Sequence, residues 1–197
     1  DCDGTLDLVA WPAALHLTAT LAPAILFVDG RVPNGVSGAA QMIIDKDLVY
    51  PDAAALEAAQ HALEVREPVF SLMRPPGHHA TAVQAMGVCY LNQVAVAAAH
   101  AQEQLGARRV AVWDFDAHHG NGTEAILQGQ PGVFFASVHQ YPGYPGTGTQ
   151  DHAPNARNWP VPPRSPRLRH MKALRESFDA VLAFAPDLIL VSAGFDA

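Results

Sequence analysis

Residues 110–124 read VAVWDFDAHHGNGTE, an apolar run that breaks into Asp114, Asp116, His118 and His119 and then into glycines. A short continuous apolar run bounded by turn residues suits a strand buried on both faces. Four other runs share this character: AILFV from Ala24, VFSLM from Val69, VFFASV from Val133 and LILVS from Leu188. Between them lie helical patterns. PDAAALEAAQHALEVRE begins on Pro51, a residue suited to a first helical turn, and is rich in Ala, Leu and Glu. LNQVAVAAAHAQEQLG makes a second helix, and a third is expected over residues 168–185, stopped by Pro186. Strands alternating with helices predict an α/β domain whose mainly parallel sheet carries helices on both faces. Residues 141–166, YPGYPGTGTQDHAPNARNWPVPPRSP, are expected to form one long loop, because glycines and prolines interrupt any long regular element there.

The bulk numbers agree with a single globular core: 197 residues, 49% of them hydrophobic. A net charge of -7 argues against a nucleic-acid-binding face. Cys2 and Cys89 make neither a disulfide framework nor a thiolate zinc cluster, which fits a reducing, cytoplasmic setting. Residues 8–28 carry no formal charge, but Pro12, His16 and Pro23 interrupt them and the flank DCDGTLD is acidic. Neither a membrane span nor a signal peptide is expected there. DCDGTL resembles the nucleophile loop of haloacid-dehalogenase-type phosphatases, without the hydrophobic strand that must precede it.

In an open parallel sheet, ligands bind outside the carboxyl ends of the strands. Three of the apolar runs end in unusual polar sequences, RPPGHHA, DAHHGNGT and AGFDA. Parallel strands bring all three to one edge, so His78, His79, Asp116, His118, His119 and Asp196 are expected to converge. Residues two apart on a strand share a face, which puts Asp114, Asp116 and His118 in one row. Asp116 and His118 can reach one metal ion together, with Asp114 behind them as an acceptor that orients an imidazole. Asp196 from the neighbouring strand end completes two carboxylates and one histidine, a set suited to catalytic Zn²⁺ with a position left for water. Lone histidines are more often satisfied core or surface residues, and His16, His61, His100, His152 and His170 are read that way. Turn formation accounts for Gly77, Gly120 and Gly122 but leaves the two adjacent histidine pairs unexplained.

RPPGHHA, GVCYLNQVAVAAAHA, VWDFDAHHGNGTE, SVHQYPGYPGTG and LILVSAGFDA, in this order, resemble the zinc-dependent histone deacetylase superfamily. The likeness is to its class II and bacterial deacetylase-like members, relatives of the acetylpolyamine amidohydrolases. It covers residues from about 51 to 197; residues 1–46 show none and form an unassigned segment ahead of a catalytic domain over 47–197. The resemblance implies an arginase-like fold and hydrolysis of an N-acetyl amide, such as acetyl-lysine or an acetylated polyamine. By motif position, Asp116, His118 and Asp196 are similar to the zinc ligands. His79 matches the general base, His78 backed by Asp114 its electrostatic partner, and Asn121 an acceptor behind the second histidine of the pair. A potassium ion under the zinc site is also implied, held by backbone oxygens and a serine hydroxyl at Asp114, Asp116, His118, Ser137 and Val138.

Some positions depart from the family pattern. Its acyl channel is walled by two aromatics; here Val88, after Gly87, replaces the first, and Tyr144 supplies the second. Less ring area on the Val88 side loosens the grip on an acetyl-lysine stem and admits another acyl group or a bulkier amine. Asp47 is placed like the rim aspartate that holds the substrate backbone. The family's oxyanion-binding tyrosine lies in a Gly-Gly-Tyr motif downstream of the third metal ligand, and this sequence has none, so it is expected to be truncated at its C-terminus. Two other readings stay open. One is an inactive, truncated deacetylase domain that binds metal or acyl-lysine. The other is an arginase-like ureohydrolase with two manganese ions, against which Gly120 stands where a further carboxylate ligand is needed.

Overall fold

All five apolar runs form strands of one parallel sheet. The computed structural model describes residues 24–29, 51–71, 77–152 and 154–194; Asp47, Asp196 and DCDGTL lie outside them. In chain order the elements are β1 (Ala24–Asp29), α1 (Pro51–Val65), β2 (Val69–Ser71), α2 (Gln93–Glu103), β3 (Val110–Asp114), α3 (Asn121–Leu127), β4 (Val133–Gln140), β5 (Ala156–Val161), α4 (Arg167–Ala183) and β6 (Leu188–Ala193). The strands lie in the order β2-β1-β6-β3-β4-β5, and every neighbouring pair is parallel. The chain winds outward in one direction through β1 and β2 and in the other through β3, β4 and β5. β6 closes the gap between them. That reversal of strand order is where an open α/β sheet leaves a crevice at its carboxyl edge.

Alternation along β3 explains the two covered faces. Val110 and Val112 pack with Phe135 of β4 and Leu188 and Leu190 of β6 beneath the alanines of α1 and α2. Ala111 and Trp113 face the other way, packing with Phe134, Ile189 and Val191 against Val181 and Phe178 of α4. Both sides of the sheet are dry, so its strands read as continuous apolar runs. Each fully buried aliphatic or aromatic side chain contributes about 1.5–3 kcal/mol. The Trp113 indole N–H finds its partner in Ser177 Oγ at 2.9 Å.

Two elements occupy stretches read as loop or turn. β5, ARNWPV, lies inside residues 141–166 and pairs with β4 along the edge of the sheet. Pro160 is tolerated because an edge strand has N–H groups that need no partner strand. α3 starts at Asn121, within HHGNGT, and Gly120 offers it no side-chain cap. Its orphan first-turn donors are met instead by tertiary structure: Gly122 N–H and Thr123 N–H donate to the His78 carbonyl at 2.9 and 3.1 Å.

Asn92 joins these pieces. Its Oδ1 accepts from Ala95 N–H at 3.0 Å, capping α2, while Nδ2 donates to the Ala80 carbonyl at 3.0 Å and to Thr123 Oγ1 at 3.1 Å. The Asn92→Ala substitution removes the cap and leaves a buried carbonyl without its donor, an expected loss of about 2–4 kcal/mol. A lower urea midpoint with an unchanged slope is the result anticipated.

Candidate active site

The site grows outward from the end of β3. Asp114, its last residue, is fully buried, and Oδ2 lies 2.9 Å from Nδ1 of the buried His78. A carboxylate accepts, so His78 carries its hydrogen on Nδ1 and donates it. Burial pushes the Asp114 carboxyl above its ordinary range, and the His78 imidazole pulls it back. The second carboxylate oxygen, Oδ1, accepts from Asp116 N–H at 3.2 Å.

His79 is built the same way against a neutral partner. Its Nδ1 lies 2.8 Å from Oδ1 of Asn121, while Asn121 Nδ2 donates to Met86 Sδ at 3.4 Å. An amide oxygen only accepts, so the hydrogen of His79 is on Nδ1 and its lone pair on Nε2. Burial, and then the neighbouring His78, lower His79 to about 4. The ring is therefore neutral at pH 7. A neutral imidazole of defined tautomer is a proton acceptor.

Beyond the strand, Asp116 Oδ1 accepts from His118 N–H at 2.8 Å and lies 3.1 Å from His118 Nδ1 and 3.8 Å from His78 Nε2. The His118 side chain is 34% exposed and Asp116 only 6%, so the pair marks the open side of the cluster. Two ligands of a tetrahedral ion with bonds of about 2.0–2.1 Å stand about 3.3 Å apart. Asp116 Oδ1 and His118 Nδ1, 3.1 Å apart, are at hydrogen-bonding distance in the structure as it stands. Among the described residues no three His, Cys, Asp or Glu side chains make a metal-holding group. Asp196 is outside them, but the backbone at Gly194, just past β6, packs directly against the Asp116 carboxylate.

Two of the expected channel residues, Tyr144 and Gly87, lie against this cluster. The Tyr144 ring stands edge-on, its centroid 5.0 Å from that of His79 and 6.0 Å from that of His118. Gly87 lies against the His79 ring. Val88 is 83% exposed and has φ +57, a left-handed conformation unusual for a β-branched residue. Ser137 and Val138 are buried in β4, with Ser137 in register with Asp114.

His139 was not singled out in the sequence, yet it is buried beside the site, with Nδ1 2.9 Å from Ser137 Oγ and Nε2 3.0 Å from the Gly148 carbonyl. The criterion that found the other motifs applies to it. Ser137 and His139 are polar residues two apart at the carboxyl end of an apolar run. His119 turns away from the metal-type pair: its Nδ1 lies 2.7 Å from Thr147 Oγ1 and its Nε2 3.4 Å from Glu124 Oε2. His61, His100 and His170 sit on α1, α2 and α4. His152 reaches only to 4.0 Å from Glu124.

Fold and site together define a parallel α/β protein whose polar centre joins the His78–Asp114 and His79–Asn121 pairs to the neighbouring Asp116–His118 pair. Residues 43–197 match the histone deacetylase domain, and the chain belongs to that family. It is 47% identical over 152 residues to an uncharacterized protein of Synechocystis sp., covering 73% of this chain and 49% of that protein. With a probable deacetylase of Archaeoglobus fulgidus it shares 36% identity over 180 residues, 87% of this chain and 48% of the other. The solved structure of an acetylpolyamine aminohydrolase from Burkholderia pseudomallei matches with TM-score 0.66 and 33% identity, over 75% of this chain and 45% of that one. The chain spans about half the length of these relatives.

The second histidine system has a pH signature. Burial, and then the charge of His119, lower His139 to about 4, with the Gly148 carbonyl and Glu124 opposing. An unfolded histidine titrates near 6.5. Between about 6.5 and 4 the unfolded chain therefore binds more protons, and stability falls as pH falls through that window. Melting midpoints across it are expected to drop less steeply for His139→Gln than for the unsubstituted protein.

Proposed function

We propose that this protein is a zinc-dependent deacetylase that removes an acetyl or related acyl group from a lysine side chain or a polyamine. The carrying observation is the His79 ring: buried, neutral, set by Asn121 in the tautomer that leaves Nε2 its lone pair, and 6.0 Å from the His118 ring. Asp116, His118 and Asp196 are the residues that would hold the ion, a reading supported for the first two by their 3.1 Å spacing. Zinc in that position supplies polarisation of the amide carbonyl and a lowered pKa for the attacking water.

His79 Nε2 takes a proton from the attacking water as its oxygen adds to the carbonyl carbon. It gives that proton to the departing nitrogen as the C–N bond breaks, leaving a carboxylic acid and an amine, which become carboxylate and ammonium when the acid's proton passes to the amine. Asn121, accepting from Nδ1, keeps that nitrogen protonated, so Nε2 is the atom that takes and returns the proton. His78, held through Nδ1 by Asp114, stands beside His79 with ring centroids 4.1 Å apart and lowers its proton affinity. The potassium ion at Asp114, Asp116, His118, Ser137 and Val138 belongs to the same proposal, supported by the register of Ser137 with Asp114. A net charge of -7 favours cationic amines over anionic substrates.

His79→Ala in the full-length protein is expected to lower kcat by about 10²–10⁴ while zinc content by elemental analysis stays the same. Near-normal turnover would sink the assignment, and two manganese ions per chain would favour the ureohydrolase reading. The channel wall has a separate test. Val88→Phe restores ring area and should shift preference toward acetyl over longer acyl groups; an unchanged acyl-chain profile would refute a role for Val88.

A further inference from the structure

Residues 141–150 carry Tyr144 past the candidate site and form neither helix nor strand; β5 ties only their ends, at Tyr141 and Gln150. Between those ties two buried histidines hold them. His119 Nδ1 meets Thr147 Oγ1 at 2.7 Å, and His139 Nε2 meets the Gly148 carbonyl at 3.0 Å, so consecutive loop residues rest on separate imidazoles. The ring centroids are 4.6 Å apart. Each ring is braced from behind, His119 by Glu124 and His139 by Ser137.

Proton placement follows from the partners. Burial pushes Glu124 up, but the adjoining His119, Asn158 and His152 hold it below the ordinary carboxylate range, with His119 Nε2 3.4 Å from Oε2. An ionised Glu124 favours a hydrogen on the facing His119 Nε2 and leaves Nδ1 to pair with the Thr147 hydroxyl. The Gly148 carbonyl likewise requires a hydrogen on His139 Nε2, and Ser137 Oγ donates to its Nδ1. The seat is close. Gly148 has φ +80, and a Cβ there would come within 2.4 Å of His139 and 2.7 Å of His119. Asn158 extends the clamp, with Nδ2 donating to Glu124 Oε1 at 2.6 Å and to the Gln150 carbonyl at 2.9 Å.

We propose that His119 and His139 are positioning residues that hold the Tyr144 wall against His79 through Thr147 and Gly148, and so set substrate affinity rather than the chemical step. The functional half of this inference rests on the deacetylase reading.

Thr147 is exposed, so its hydroxyl can be removed with little cost to packing. The test compares Thr147→Val with Thr147→Ser in the full-length, zinc-loaded protein. Amide hydrogen exchange over residues 143–149 is measured beside kcat and KM for an acetyl-lysine peptide. Loss of one hydrogen bond predicts, for the valine variant, exchange and KM both raised about fivefold, with kcat nearly constant. The serine variant should restore both. Unchanged loop exchange in Thr147→Val overturns the clamp; faster exchange with an unchanged KM, or a fall in kcat alone, overturns its role in substrate positioning. If the unsubstituted protein hydrolyses no acyl amide, the deacetylase reading has failed, and loop exchange still decides whether the histidines hold the wall.

Discussion

A carboxylate with no access to water at the end of a parallel strand is the constraint on which the site depends. Burying Asp114 without a partner costs several kcal/mol, and that cost is offset only by a donor brought to it. His78 is that donor, at 2.9 Å. Its side chain is thereby pinned to β3, and its carbonyl oxygen is left where Gly122 and Thr123 N–H can both reach it. Those two bonds start α3 without a side-chain cap. α3 in turn presents Asn121 to His79, so the state of the neutral imidazole traces back to one buried acid.

The same strand end serves two ring systems that share little. His118 and His119 are consecutive, yet the His118 side chain is 34% exposed on the metal-type side and that of His119 is 1% exposed beneath the loop. One ring faces the open side of the site. The other lies against Glu124 and Thr147. A doublet of identical residues thus places one imidazole where solvent reaches it and the next beneath the loop.

Strands were legible in the sequence because both faces of the sheet are buried, and short apolar runs rich in β-branched and aromatic residues between turn signals favour strand over buried helix. Parallel strand ends predicted the convergence of His78, His79, Asp116, His118, His119 and Asp196; the first four are neighbours, His119 turns to Thr147 and Glu124, and Asp196 lies outside the described residues. Elements defined by tertiary contacts were not legible. α3 is seven residues long and contains Gly122, a poor helix former, yet a Cβ at that position would lie 2.2 Å from the Ala80 carbonyl. Glycine is there for clearance, and a sequence reading takes it for a turn. β5 was hidden by Pro160, which an edge strand accepts and an interior strand does not. His139 was legible by the strand-end criterion through Ser137 two residues before it, but a single histidine in an apolar strand also looks like a satisfied core residue until its contacts with Ser137, Gly148 and His119 are seen.

The two channel walls are not equivalent in stiffness. Tyr144 sits on a loop whose next residues are hydrogen-bonded at Thr147, Gly148, Gln150 and, through Asn158 N–H, Asp151. Val88 lies at φ +57 and is 83% exposed, with its neighbours Met86 and Cys89 joined by two backbone hydrogen bonds of 3.0 and 2.9 Å across a tight turn. A β-branched residue in the left-handed region is strained, and that strain is relieved by local backbone movement. Under the proposed chemistry the Tyr144 wall sets the distance of the acyl stem from His79, while the Val88 turn is the part able to yield to a different group. On that reading, breadth in acyl or amine choice belongs to residues 86–89, and the hold on the acyl stem to the Tyr144 wall that His119 and His139 brace.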